Sequence, residues 1–168
     1  TIKEIPRSRF ESIAKTESSQ GVVALAAPLP NYEIEELTQF EDGKSKPFLL
    51  VIDGVTDPGN LGAMLRSAEC AGINGVILPR HRSAKITPAV TKTAAGAIEH
   101  LRIATVSGVP AALGRLREAG IWLVGLDAGG ATSLYDLVIA DQPIALVLGS
   151  EGRGLSRLAR ERCDELVH

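Results

Sequence analysis

The sequence predicts an α/β fold: a parallel sheet with helices on both faces. Two observations lead there. Short apolar runs of strand length, such as FLLVID, GVIL and IALVLG, recur from Pro47 onward. Helix-patterned segments separate them, and alternation of this kind implies a parallel sheet covered on both sides.

Taken in order, RSRFESIAK (7–15) reads as a short helix and GVVALAAP (21–28) as a strand-like run ending at proline. Residues 28–46 read as a proline-bracketed, acid-rich linker holding a short helix around Ile34–Phe40. FLLVID (48–53) is the first buried strand. Leu61–Ala71 is a helix closed by Gly72, with Asn60 in the place of an N-cap. GVIL (75–78) is the second strand. Thr87 caps the next helix, with Pro88 at its first position. HLRIATV (100–106) is a third strand and VPAALGRLREAG a helix ending at Gly120. IWLVGLD (121–127) and PIALVLG (143–149) are the fourth and fifth strands, and SRLARERCDE (156–165) is the last helix.

Composition narrows the function. The chain has 168 residues, 45% hydrophobic and 23% charged, which suits a soluble domain with a sizeable core. A net charge of −2 rules out a polycation, though not a local basic patch. No run of 18 apolar residues and no signal-peptide pattern is present, so a cytoplasmic location is expected. Cys70 and Cys163 have no CxxC or Cys/His spacing; they are expected to be small buried hydrophobes, with neither zinc nor a disulfide.

Ligands of such sheets gather at the C-terminal ends of the strands. Those ends carry DGVTDPGN, PRHRSAK, GLDAGG and GSEGRGLS. The order G-x-x-G-x-G in GSEGRG is not a dinucleotide fingerprint, and neither a P-loop nor a G-x-S-x-G elbow occurs. Glu151 lies between glycines with little side-chain cover, which suits a polar ligand. Arg66 has Ala63, Gly62 and Gly59 at i−3, i−4 and i−7, so its side chain is expected to lie back over an uncrowded strip toward Asn60. The bland alternative pairs it with Glu69 or Asp57. Arg80, Arg82 and Lys85, around His81, read either as phosphate contacts, which the resemblance described next makes contacts to the substrate's backbone, or as a solvated basic loop.

Together these segments resemble the SpoU/TrmH family of RNA 2′-O-ribose methyltransferases, in the knotted SPOUT superfamily. DGVTDPGNLGAMLRSAECAGINGVIL (53–78), with its N-x-x-x-x-x-R spacing at Asn60 and Arg66, resembles the first family motif. IALVLGSEGRGLS (144–156), with Gly149, Glu151 and Gly152, resembles the second. Residues 79–97 are also family-like, and the similarity points to the bacterial 23S rRNA guanosine-2′-O-methyltransferase branch. The resemblance implies methyl transfer from S-adenosylmethionine to RNA, rRNA or tRNA, without a metal. It implies Asn60, Arg66 and Glu151 as catalytic residues. It implies Leu126, Leu148, Gly149 and Gly152, helped by Thr93 and Gly96, around the methyl donor. It also implies that residues 1–27 are the tail of a substrate-recognition domain and that 47–168 form the methyltransferase domain. The family's trefoil knot and homodimer depend on a third motif, expected to begin where this chain ends at CDELVH.

Overall fold

Period-two alternation explains the sheet. In strand β1 (Phe48–Asp53), Leu49 and Val51 point to one face and Leu50 and Ile52 to the other, all four buried. The strand is therefore covered on both sides. A computed structural model describes residues 2–14, 20–25, 27–39, 45–139 and 141–168.

The other strands are β2 (Gly75–Pro79), β3 (Arg102–Val106), β4 (Trp122–Leu126), β5 (Ile144–Gly149) and β6 (Glu165–Val167). All pair in parallel, in the order β3-β2-β1-β5-β4-β6. The helices are α1 (Arg7–Ala14), α2 (Ile34–Thr38), α3 (Pro58–Cys70), α4 (Pro88–Ala94), α5 (Val109–Glu118) and α6 (Arg157–Arg162). Leu61, Leu65 and Ala68 of α3 and Val90 and Ala94 of α4 cover one face with Leu50, Ile52 and Ile103. On the other face, Ile34 and Leu37 of α2, Leu113 and Leu116 of α5 and Ala159 of α6 pack on Leu49, Val51 and Leu123. The expected α/β fold with a doubly covered parallel sheet is present. Around β4 and β6, however, part of the cover comes from Leu134, Leu137 and Ile139 of a connecting segment whose only helical part is the 3₁₀ turn Leu134–Asp136.

Several boundaries differ from the sequence reading. The first-motif helix begins at Pro58, not Leu61. The third strand starts at Arg102, because Ala97–Glu99 forms a 3₁₀ turn before it. The last helix stops at Arg162, and its expected final residues turn into the sixth strand. Asp164 makes that turn: its carboxylate accepts from the Leu123 N–H at 2.9 Å and from Arg117 at 2.8 Å. The described residues of GVVALAAP form no strand, and Val22 and Leu25 are exposed. The segment that lies along the β3 edge comes further along the chain. There the Tyr32 N–H donates to the Ile103 carbonyl at 2.9 Å, and the Asn31 side chain accepts from the Thr105 N–H at 3.0 Å.

The segment read as a linker is seated on the sheet. Ile34 and Leu37 are buried, and Glu35 binds Arg115 through both carboxylate oxygens at 2.5 and 2.6 Å. That guanidinium holds the Glu35 carboxyl below the usual carboxylate range. The helix there ends at Thr38; Lys15, Ala26, Phe40 and residues 41–44 lie outside the described residues. Of the two cysteines, Cys70 is exposed rather than buried, since it ends α3 on the solvent side. Cys163 is half-buried, and burial, with the charge of Asp164, pushes its thiol up to about 11. Among the described residues no helix is long and apolar enough to cross a membrane.

Candidate functional site

The strand order reverses direction between β1 and β5. Strands β2 and β3 extend to one side of β1; β4 and β6 lie beyond β5. The connections after β1 and β5 therefore leave the sheet in different directions and open a crevice at their carboxyl ends. Asp53 and Gly149 are register partners at that point. Both singled-out motifs start there.

After β1, Asp57 is the N-cap of α3, with Pro58 at the first helical position. Its Oδ1 accepts from the Asn60 N–H at 2.7 Å. The capping role expected of Asn60 thus belongs to Asp57, and Asn60 sits in the first turn with its side chain available. Asn60 Nδ2 donates to Glu151 Oε1 at 2.6 Å, joining two residues 91 positions apart. Asp57→Ala is expected to cost about 0.5–2 kcal/mol of stability, the range for a lost N-cap, measured by thermal or urea unfolding. An unchanged midpoint would contradict the capping role.

After β5, the chain folds straight back on itself. The Ser150 N–H donates to the Gly154 carbonyl at 3.0 Å, and the Gly154 N–H returns the bond at 2.8 Å. A Cβ on Gly149 would lie 2.0 Å from the Gly154 carbonyl carbon, so this position has room only for glycine. Among the described residues no acceptor pairs with the N–H groups of Glu151, Gly152 or Arg153. Three backbone donors therefore remain open beside the switch point.

Arg66 is exposed and makes no hydrogen bond or ion pair with any described residue. The bland pairing does not form: Asp57 is engaged as the cap, and the Glu69 carboxylate meets the Cys70 thiol at 3.8 Å. The strip beneath Arg66 is less open than expected. At Gly62 helix α4 fills it, and a Cβ there would lie 2.6 Å from Thr93 Cβ and 2.8 Å from the Val90 carbonyl. Six residues of helix set Arg66 about 9 Å along the axis from Asn60. The structure therefore joins Asn60 to Glu151 directly and leaves Arg66 as a free cation on the same helix.

The remaining site residues fall into two groups. Leu126 and Leu148 are register partners, half-buried at the ends of β4 and β5, and Gly149 and Gly152 continue from there. Thr93 lies at the α3–α4 contact, facing Gly62, and Gly96 precedes the 3₁₀ turn Ala97–Glu99. The Thr93 hydroxyl donates to the Ala89 carbonyl at 3.0 Å, and Gly96 follows α4 with φ +90°.

The basic residues are also divided. A cleft of about 1000 Å³ at the strand ends is lined by His81, Arg82, Arg153 and Arg157. Arg80 lines a separate pocket of about 310 Å³ beside Tyr32 and Arg115, and exposed Lys85 lines neither. Arg153 and Arg157 were absent from the sequence reading. Their signal was available in GSEGRGLSR: one arginine in a glycine-rich loop after a strand end, and a second just past Ser156, the cap of the following helix.

Comparison with known proteins adds three findings. Residues 47–168 match the profile of the SpoU rRNA Methylase family. The chain is 40% identical over 166 residues to the 23S rRNA (guanosine-2′-O-)-methyltransferase RlmB of Pectobacterium atrosepticum, covering 99% of this chain and 68% of that one. It is 38% identical over 167 residues to a Staphylococcus haemolyticus protein named for the TrmH family of tRNA/rRNA methyltransferases, covering 97% of this chain and 65% of that one. The chain thus spans about two thirds of the length of these relatives. Among solved structures, the SpoU methyltransferase AviRb of Streptomyces viridochromogenes, in complex with AdoMet, superposes with a TM-score of 0.72. The two are 25% identical over 98% of this chain and 69% of AviRb.

Proposed function

Because the chain belongs to the SpoU rRNA methylase family, we propose that it transfers the methyl group of S-adenosylmethionine (AdoMet) to a ribose 2′-hydroxyl of RNA. The observation that carries this reading is the Asn60–Glu151 bond, which joins the two motif loops at the switch point of the sheet. The substrate we assign is a guanosine of 23S rRNA, on the support of relatives such as RlmB at 40% identity. On the same reading, residues 1–27 end a substrate-recognition domain, and the working protein is a homodimer.

The residues at the ends of β4 and β5 fit the methyl donor. Leu126 and Leu148 offer an apolar surface, and the N–H groups of Glu151, Gly152 and Arg153 offer hydrogen bonds. AdoMet carries both kinds of group, an adenosyl part and a charged methionyl part. When bound, it supplies a methyl carbon made electrophilic by the attached sulfonium.

The chain itself must place the 2′-oxygen in line with that carbon and ease loss of its proton. Holding two reactants in attack geometry lowers such a barrier by roughly 7–11 kcal/mol in favourable cases. Asn60 and Glu151, locked together, orient the ribose. Arg66 supplies positive charge. A guanidinium stays protonated at neutral pH, so it is a poor base. It acts by stabilising the developing alkoxide while water or a phosphate oxygen accepts the proton.

Calorimetric titration with AdoMet tests the first half of this reading. Transfer of tritiated methyl to a 23S rRNA transcript tests the second, with the product mapped by the loss of one alkaline cleavage. Binding followed by a single protected ribose position is expected. Absence of AdoMet binding would overturn the methyltransferase reading.

A further inference from the structure

The cleft beside the candidate site is built to take more than the target ribose. Its lining includes Ser150 and Gly154, the ends of the loop that carries Glu151, but neither Asn60 nor Glu151 itself. Three arginines line it: Arg82 in the loop after β2, Arg153 in the loop after β5, and Arg157 at the start of α6. Among the described residues Arg82 and Arg153 make no ion pair. Arg157 is engaged by Glu161 one turn away, an exposed i,i+4 pair that contributes little and yields readily to a stronger anion.

One carboxylate, that of Asp53, also lines the cleft, and Arg82 and Arg153 outnumber it. Asp53 is tied to the backbone, its Oδ2 accepting from the Ser156 N–H at 2.9 Å. The opening of α5 adds to the same field. Gly108 lines the cleft with open space beside it, and no side chain caps that helix. Positive helix-end charge therefore faces the same volume.

Arg82 is also held in place by a strained backbone. Its φ is +57°, in the left-handed region that side chains other than glycine rarely adopt. The next two residues fix that geometry, since the Ser83 hydroxyl and the Ala84 N–H both donate to the Val55 carbonyl, at 3.1 and 2.8 Å. A rigid bond network thus presents a free guanidinium to an open, positively charged cleft.

We infer that this cleft binds backbone phosphates of the RNA on one side of the target nucleotide, with Arg82 and Arg153 as the principal contacts and Arg157 joining on release from Glu161. The inference rests on the methyltransferase reading above and extends it. The RNA strand crosses the Ser150–Gly154 loop, with its target ribose at Asn60 and Glu151 and its neighbouring phosphates in the cleft. Guanidinium groups suit phosphate through paired N–H donors, and such contacts position the strand without reading its sequence.

The test uses the full chain and a fluorescein-labelled 23S rRNA transcript, with anisotropy measured across a salt series. Arg82→Gln and Arg153→Gln are each expected to weaken binding on the order of tenfold. Each is expected to lower the slope of log affinity against log salt by about 0.7–0.9, the share of one phosphate contact. The double variant should lose about twice that slope. Thermal unfolding of the same variants, with a midpoint near wild type, reports that they are folded. Wild-type RNA binding with an unchanged slope in the double variant would overturn the cleft assignment alone. A wild-type chain that binds neither AdoMet nor the transcript would overturn this inference together with the reading beneath it.

Discussion

Arg66→Ala is expected to cut methyl transfer by about 10²–10³-fold, the loss seen when one electrostatic stabiliser of a developing oxyanion is removed. The fold should be unaffected. Arg66 is exposed, makes no polar contact with a described residue, and sits in a helix interior where alanine is the better helix former. Melting temperature and AdoMet affinity should therefore stay near wild type while the single-turnover rate collapses. Arg66→Lys separates the possible roles. If Arg66 acts through charge, lysine keeps a cation within reach and retains measurable transfer. If the planar guanidinium is needed for geometry, lysine is as inactive as alanine. A wild-type rate in Arg66→Ala would remove Arg66 from the reaction altogether.

How much of this was visible in the chain depends on the range of the interactions involved. The strands were legible because each is a short run of apolar residues bounded by turn chemistry, and β1, β2 and β5 lie close to where the pattern puts them. The Thr87 cap with Pro88 behind it was legible for the same local reason, and the hydroxyl accepts from the Val90 N–H as expected. The sixth strand was missed because Glu165–Val167 is too short to show a period. Asp164 defines it through bonds to Leu123 and Arg117, more than 40 residues away.

The site was legible in part for related reasons. Asn60 and Glu151 could be singled out one at a time, but their contact joins residues 91 apart and depends on β1 and β5 being neighbours. The cap was misassigned because Asp57 and Asn60 are both good caps and only the backbone decides between them. With the helix starting at Pro58, Asp57 is the residue before it and Asn60 falls inside. Arg80 and Arg82 looked equivalent in sequence. The left-handed turn at Arg82 sends these near neighbours to different pockets.

Gly149→Ala is the second substitution with a large expected effect, and it acts through the backbone. The added Cβ would lie 2.0 Å from the Gly154 carbonyl carbon, 2.2 Å from its oxygen and 2.2 Å from the Leu155 nitrogen. All three are main-chain atoms, so no side-chain rotation relieves the clash. The Ser150–Gly154 bridge must open, yet the two residues after the bridge are held firmly: Leu155 is buried in the core, and Ser156 is bonded to Asp53. Overpacking of this kind costs about 1–3 kcal/mol, and an unyielding backbone on both sides points to the upper end. Opening the loop also pulls Glu151 away from Asn60 and scatters the three N–H groups offered to AdoMet. The expected result is a lower melting temperature together with at least about a tenfold loss of AdoMet affinity, the equivalent of about 1.4 kcal/mol. Gly152→Ala is the control. Gly152 has φ +74° but nothing within 4 Å of an added Cβ, so its substitution introduces backbone strain without a clash. That strain is about 1–2 kcal/mol and leaves the bridge closed. If the two variants lose AdoMet equally, the closed loop is not what holds the donor. If only Gly149→Ala loses it, close backbone approach at the end of β5 is what shapes the pocket.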